Sequence, residues 1–297
     1  MNNLSFKGAI PPMITPFKAD GRLDLDAHIH NLGKWNEVDL GGYLVLGSNS
    51  ETAYLSEQEK LHLIEATVQH AAEGRPVIAG TGLESTLETI RFTNKAAALG
   101  AQAALLLTPF YYKGKMNETA IIHHFLTVAD DSDIPIMLYN VTKFTGINVS
   151  SRVVTEISVH PNIIGMKDSS GNIGQLIHFQ KAAQHDFQVM TGTASIWYPA
   201  LTLGVTAAVM ALANCAPKEC AQIQRYYEAG QLDQAKALYR RMVPLNTAIT
   251  ATFGIAGLKH VCDAVGLRGG YVRSPLSELT VEEKRALDDI VKTAGIA

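Results

Sequence analysis

Lys167 is the residue in this chain best placed for covalent chemistry. It lies inside the apolar run Ile163, Ile164, Gly165, Met166, Lys167, Asp168, whose length and composition predict a buried strand. A lysine carried into a packed interior loses most of its hydration, which favours the neutral amine. An ordinary lysine with a pKa near ~10.4 is only about 0.1% neutral at physiological pH; one poised near ~7.5 would be about half neutral and able to attack a carbonyl carbon. The neighbouring Asp168 offers another role, a plain ion pair at the strand end, and the run by itself leaves both readings open. Tyr139 closes a second run, Ile134 to Asn140. Its phenol could move protons for a neighbouring amine or serve as a core residue with its hydroxyl in water. The turn Gly47, Ser48, Asn49, Ser50, Glu51 presents successive backbone N–H groups able to hold a carboxylate, or it simply reverses the chain. Thr108, Pro109, Phe110, Tyr111, Tyr112 end a further run with aromatic hydroxyls suited to a site's rim or to an interface.

Metal chemistry is the competing route to the same kind of reaction. His28 and His30 are two apart and His123 and His124 are adjacent, so neither pair shares a helical face, and no metal site is expected. Cys215, Cys220 and Cys262 are odd in number and contain no CxxC pair, which argues for reduced structural thiols. The formal charge of −3 with 18% charged residues leaves no electrostatic footprint for nucleic acid or an anionic membrane. The first residues lack the basic start and apolar run of a signal peptide, so the cytoplasm is expected. The uncharged stretch from Phe187 to Pro217 is broken by Gly192, Pro199, Gly204 and Asn214 and reads as strand, helix and strand inside a soluble protein.

These residues need a scaffold, and the apolar runs supply one. Pro12 to Phe17, Gly42 to Gly47, Pro76 to Thr81, Ala103 to Pro109, Ile134 to Asn140, Ile163 to Asp168, Phe187 to Thr193 and Ala207 to Cys215 recur with room for one amphipathic helix between each pair. That predicts an α/β fold, a (β/α)8 TIM barrel, with the chemistry at the C-terminal ends of the strands. An open doubly wound sheet would want a glycine-rich phosphate turn after the first strand, and none is present. Ser56 with Glu59 and Ser85 with Glu88 predict capping boxes. Helices are expected over Pro217 to Gly230, Gln231 to Thr250, Gly254 to Val265 and Thr280 to Gly295, without further strands. The division is therefore placed at residues 1–224 for the barrel and 225–297 for a C-terminal helical appendage.

Taken together and in order, Gly165-Met166-Lys167-Asp168, Tyr139-Asn140-Val141, Gly47 to Glu51 and Thr108 to Tyr111 resemble the dihydrodipicolinate synthase and N-acetylneuraminate lyase superfamily over essentially the whole chain. The resemblance implies a class I aldolase in which Lys167 forms a Schiff base with pyruvate or another 2-oxo acid, without metal or dissociable cofactor. Tyr139 then matches the proton-transferring tyrosine, Ser48 the hydroxyl of the relay and Asn49 the carboxylate-binding turn. Tyr111 matches the tyrosine inserted into a neighbouring subunit's site, which implies a homotetramer built as a dimer of dimers. Ser169, Gly192 and Thr193 are candidate substrate contacts.

Two departures bear on the second substrate. Phe144 stands where the synthase branch carries an arginine, and a phenyl ring cannot clamp a carboxylate in bidentate fashion; Lys143 is the adjacent cation. Ser50 stands where a glycine is usual. Ser48-Asn49, Tyr111-Tyr112-Lys113-Gly114, Ile122-His123-His124, His160-Pro161-Asn162 and Phe253-Gly254-Ile255 look most like the 4-hydroxy-2-oxoglutarate aldolase branch, whose reaction releases pyruvate and the aldehyde glyoxylate. The sister activities on aspartate semialdehyde (dihydrodipicolinate synthesis), N-acetylneuraminate or a 2-keto-3-deoxy sugar acid stay open, as does a keto-acid sensor without turnover.

Overall fold

The computed structural model describes residues 4–296 apart from position 185. Eight parallel strands form its centre: β1 (Gly8–Ile10), β2 (Tyr43–Val45), β3 (Val77–Gly80), β4 (Ala103–Leu107), β5 (Ile136–Asn140), β6 (Ile163–Asp168), β7 (Gln188–Thr191) and β8 (Ala207–Val209). From β2 to β8 each strand pairs with its sequence neighbour, and β1 pairs with β8. The remaining gap between β1 and β2 is bridged by backbone bonds from Gly41 N–H to Ala9 O, Leu44 N–H to Pro11 O and Met13 N–H to Leu44 O. The result is a TIM barrel, with at least one helix following every strand.

The first strand lies earlier than the run Pro12 to Phe17 predicts. Neither Pro11 nor Pro12 has an N–H to donate, so the ladder to β8 ends at Ile10. The eighth strand is shorter than expected, because after Val209 the chain turns into the helix Leu212–Cys215. The uncharged stretch resolves into β7, the short helix Trp197–Thr202 and β8. Among the described residues no helix is long and apolar enough to cross a membrane.

Local signals act where the residues predict. Ser56 accepts from the Glu59 N–H while the Glu59 carboxylate accepts from the Ser56 N–H, closing a full capping box. Ser85 makes only half of one: it accepts from the Glu88 N–H, but the Glu88 carboxylate turns to Arg91 at 2.7 Å. After the eighth barrel helix, Pro217–Glu228, which contains residue 225, come Leu232–Thr247, Gly254–Ala264 and Val281–Ala294. The expected single helix to Thr250 instead changes at Ala248–Thr252 into a π-helical turn, downstream of Pro244 inside the preceding helix.

Two apolar layers follow from strand alternation. Ile10, Leu44, Ile78, Leu105, Met137 and Met190 fill the barrel interior. The alternate residues, Met166 and Leu138 among them, face outward against the helices. Gly165 and Lys167 are two apart, so Lys167 shares the inward face, and the packing seals everything around it but the mouth.

Candidate active site

Register brings the first two candidates together. Tyr139 on β5 pairs with Lys167 on β6, and Lys167 pairs with Met190 on β7, so all three lie at one level. Lys167 is 3% exposed, and its Nζ sits 4.0 Å from the centroid of the Tyr139 ring. The ion pair with Asp168 is not what the structure contains. One residue further along the strand, Asp168 projects to the opposite side. It accepts from Asn140 Nδ2 at 2.8 Å, Ser170 Oγ at 2.5 Å and Gln175 Nε2 at 3.2 Å. With Asp168 satisfied elsewhere, the amine of Lys167 is left to the cavity.

Tyr139 is buried as well, and its hydroxyl lies 3.4 Å from Ser48 Oγ, beyond the ~2.8 Å of a tight O–H···O bond. Burial alone would raise the pKa of the Tyr139 phenol, because it disfavours the phenolate. The Lys167 cation, the hydroxyls of Ser48 and Ser169 and a hydrogen bond from Lys167 outweigh burial and hold the pKa below the ordinary 10.0. A phenol of lowered pKa beside an amine is equipped to accept a proton and return it.

Ser48, Asn49, Tyr139, Lys167, Ser169, Gly192 and Thr193 all line one cavity of about 480 Å³ at the C-terminal mouth of the barrel. Within the turn, the Ser50 N–H is taken by Gly47 O and the Glu51 N–H by Ser48 O. The N–H groups of Ser48 and Asn49 have no partner among the described residues. Ser50 needs no glycine conformation; its buried hydroxyl donates to Met13 O at 2.5 Å. Gly192 leaves room for its neighbours: a Cβ there would lie 1.9 Å from Ser169 Oγ and 2.9 Å from Lys167 Cε, so both side chains would have to shift. Thr193 caps the turn after β7 by accepting from the Ser195 N–H.

Tyr111 does not join this cluster within its own chain. It is 74% exposed and packs edge-to-face against Tyr112, also exposed. Glu84 holds the loop by accepting from the N–H groups of Phe110 and Tyr111 at 3.0 and 2.8 Å.

Sequence reasoning missed a whole wall of the cavity. Asn246, Ile249, Thr250, Phe253, Ile255 and Leu276 from the C-terminal helical region close it. Phe253-Gly254-Ile255 stands out only as a motif of the aldolase branch, without a place in the site, and no local pattern distinguishes the others from ordinary helix positions. The direction of Lys143 also comes only from the structure. It lines the cavity and donates to Thr250 O at 2.8 Å, meeting the π-helical turn. Phe144, 55% exposed, stands beside it. Lys143 and Lys167 are the basic side chains among the described lining residues, and neither a carboxylate nor an arginine is among them.

A buried lysine and its tyrosine on adjacent strands of a TIM barrel define the class: this is a pyruvate-dependent class I aldolase, a carbon–carbon lyase. The model of the dihydrodipicolinate synthetase family matches residues 5–294, and the chain belongs to that family. It is 36% identical over 291 residues to the 4-hydroxy-tetrahydrodipicolinate synthase of Methanosphaerula palustris, covering 97% of this chain and 99% of that one. The solved dihydrodipicolinate synthase of Bacillus anthracis superposes with a TM-score of 0.93 at 27% identity, covering 97% and 98% of the two chains. The chloride-inhibited dihydrodipicolinate synthase of Acinetobacter baumannii, complexed with pyruvate, superposes with a TM-score of 0.92 at 29% identity over 99% and 100%.

Proposed function

We propose that this enzyme cleaves 4-hydroxy-2-oxoglutarate reversibly to pyruvate and glyoxylate through a Schiff base on Lys167. The carrying observation is the Lys167 amine, sealed inside the barrel 4.0 Å above the Tyr139 ring with its neighbouring acid already satisfied. The neutral amine attacks C2 of the substrate, and water leaves as the iminium forms. Tyr139 takes the proton from the 4-hydroxyl, the C3–C4 bond breaks, and its electron pair passes into the iminium to give the pyruvate enamine. Glyoxylate departs, C3 regains a proton, and water releases pyruvate. The chemistry calls for no metal or dissociable cofactor.

The pyruvate half would place its carboxylate on the Ser48 and Asn49 N–H groups, with Ser169, Gly192 and Thr193 around the reacting carbon. A pyruvate complex of the related Acinetobacter baumannii enzyme supports this half of the site. The far carboxylate would meet Lys143. A dianionic substrate suits a cavity lined by two lysines and, among the described residues, by no carboxylate. Tyr111 would reach the relay from a second copy of the chain, within a homotetramer; its exposed aromatic patch with Phe110 and Tyr112 supports an interface there. Three free, buried cysteines agree with a reducing cytoplasm.

A second reading has an observation in its favour. Relatives at 36% and 35% identity are named 4-hydroxy-tetrahydrodipicolinate synthase, so condensation of pyruvate with aspartate semialdehyde is the alternative. Borohydride reduction with pyruvate, followed by peptide mapping, tests Lys167 directly. Comparison of kcat/KM for 4-hydroxy-2-oxoglutarate, aspartate semialdehyde, N-acetylneuraminate and a 2-keto-3-deoxy sugar acid tests the acceptor. A higher value for any of the other three refutes the proposed substrate, and trapping without turnover of any of them would mark a sensor.

A further inference from the structure

Two residues with side chains adopt left-handed backbone angles among the described residues, Leu46 at φ 62° and Glu51 at φ 53°. They bracket the turn that carries Ser48 and Asn49. Such conformations persist only where the surroundings over-determine them. Leu46 is backed by Gly80, where a Cβ would stand 2.3 Å from Leu46 O. Glu51 is held from the other end of the chain. Its Oε1 lies 2.5 Å from Lys259 Nζ, with both side chains at most 2% exposed, and its Oε2 accepts from the Arg273 N–H at 2.8 Å.

Lys259 belongs to the helix Gly254–Ala264, whose first residues Gly254, Ile255 and Ala256 line the cavity. The Lys259 amine also donates to Tyr271 O at 2.6 Å and sits 4.6 Å from the Phe17 ring centroid. Arg273 stacks on the same ring at 4.1 Å and pairs with Glu59 at 2.6 Å. A fully buried ion pair contributes little net stability against an apolar pair of the same volume, yet it fixes geometry. Here the fixed object is the turn with two unpaired N–H groups.

We propose that Lys259 and Glu51 are positioning residues for the substrate's pyruvate moiety: their buried pair ties the helix Gly254–Ala264 to the 46–51 turn and holds the Ser48 and Asn49 N–H groups in carboxylate-binding geometry. This inference rests on the reading of that turn as the pyruvate-carboxylate site. Releasing the pair lets Glu51 leave the left-handed region, and the turn then relaxes toward ordinary angles that re-aim both N–H groups. The cost falls on carboxylate binding rather than on the amine chemistry at Lys167, which β6 holds independently.

Lys259→Met alone would strand a buried carboxylate and Glu51→Gln alone a buried ammonium, so Glu51→Gln is read beside the double variant Glu51→Gln with Lys259→Met, which leaves neither member of the pair charged without its partner. The readout is borohydride trapping against pyruvate concentration, alongside kcat, KM and thermal unfolding. Expected is a rise of about tenfold or more in the pyruvate concentration that half-saturates trapping, a loss of about one charge-assisted hydrogen bond's worth of binding. KM rises with it, while kcat at saturation falls no more than a few-fold and unfolding remains cooperative. Unchanged half-saturation in either folded variant, with normal trapping in the unmodified enzyme, overturns the positioning role and leaves the Schiff-base reading standing. Absence of trapping in the unmodified enzyme overturns both.

Discussion

Replacing Gly192 with alanine places one methyl group against the reacting amine, and its effect can be worked out from the geometry. The new Cβ would stand 2.9 Å from Lys167 Cε and 1.9 Å from Ser169 Oγ. Carbon atoms rest ~3.5–4.0 Å apart, so Lys167 Cε must retreat by roughly 0.6–1.1 Å. Ser169 must rotate away, giving up its 3.3 Å bond to Gly192 O. Misplacement of a reacting group by about 1 Å costs about 10²-fold in rate, or about 2.7 kcal/mol of barrier. Overpacking at a tight site costs a further ~1–3 kcal/mol of stability. The assays are steady-state kcat/KM, the rate of borohydride trapping and thermal unfolding. Gly33→Ala is the control: Gly33 lies in the helix Leu25–Asn36 with nothing within 4 Å of its would-be Cβ, and alanine there should add about 0.5–1 kcal/mol of stability with activity unchanged. A folded Gly192→Ala enzyme with wild-type kcat/KM and wild-type trapping would refute the claim that Lys167 reacts from this position.

Tyr139→Phe should lower kcat by about 10²–10⁴-fold; because the Tyr139 pKa is held below 10.0, the unmodified enzyme should gain rate as pH rises into the alkaline range, and that limb should vanish in the variant's pH–kcat profile. Lys143→Met should raise KM for the dicarboxylate substrate by about 10-fold or more, as expected for loss of a charged hydrogen bond worth ~1.5–3 kcal/mol, while pyruvate half-saturation of trapping stays the same; an unchanged KM removes Lys143 from the acceptor site. His28 is buried, with Nε2 2.9 Å from Thr67 Oγ1, and burial lowers its pKa from 6.5 to about 4. Since the folded value lies below the unfolded one, its contribution is full above pH 6.5 and is lost as pH falls toward about 4, about 3 kcal/mol at ~1.4 kcal/mol per unit. Chemical denaturation from pH 7 to 4 should show that loss, and a folded His28→Gln variant with the same slope would refute it.

The legible part of this protein rests on interactions between near neighbours in the chain. Seven of the eight strands fall on the apolar runs that predict them, because a strand buried on both faces must be apolar throughout. Ser56 and Glu59 start their helix because each satisfies the other's backbone three residues away. Lys167 could be singled out as the lysine of an apolar run, but its freedom from Asp168 could not, since Asn140 and Gln175 claim that carboxylate only after β5, β6 and the following helix are packed together. The first strand shows a limit of a different kind: two prolines interrupt the hydrogen-bond ladder without interrupting the apolar pattern.

What folding alone decides are the contacts between residues far apart in the chain. Lys143 meets Thr250 across 107 positions, and Lys259 meets Glu51 from near the other end of the chain. Neither pair shares a helical face or a strand register, so no periodicity relates them. Residue type at 51 says nothing of a left-handed backbone, because that angle is imposed by partners supplied at Lys259 and Arg273. The amino-acid order by itself determines which side chain can attack a carbonyl and which strand carries it. The closed barrel and the helices laid over its mouth decide what surrounds that amine, since desolvation, charge and aim depend on neighbours brought together only by packing.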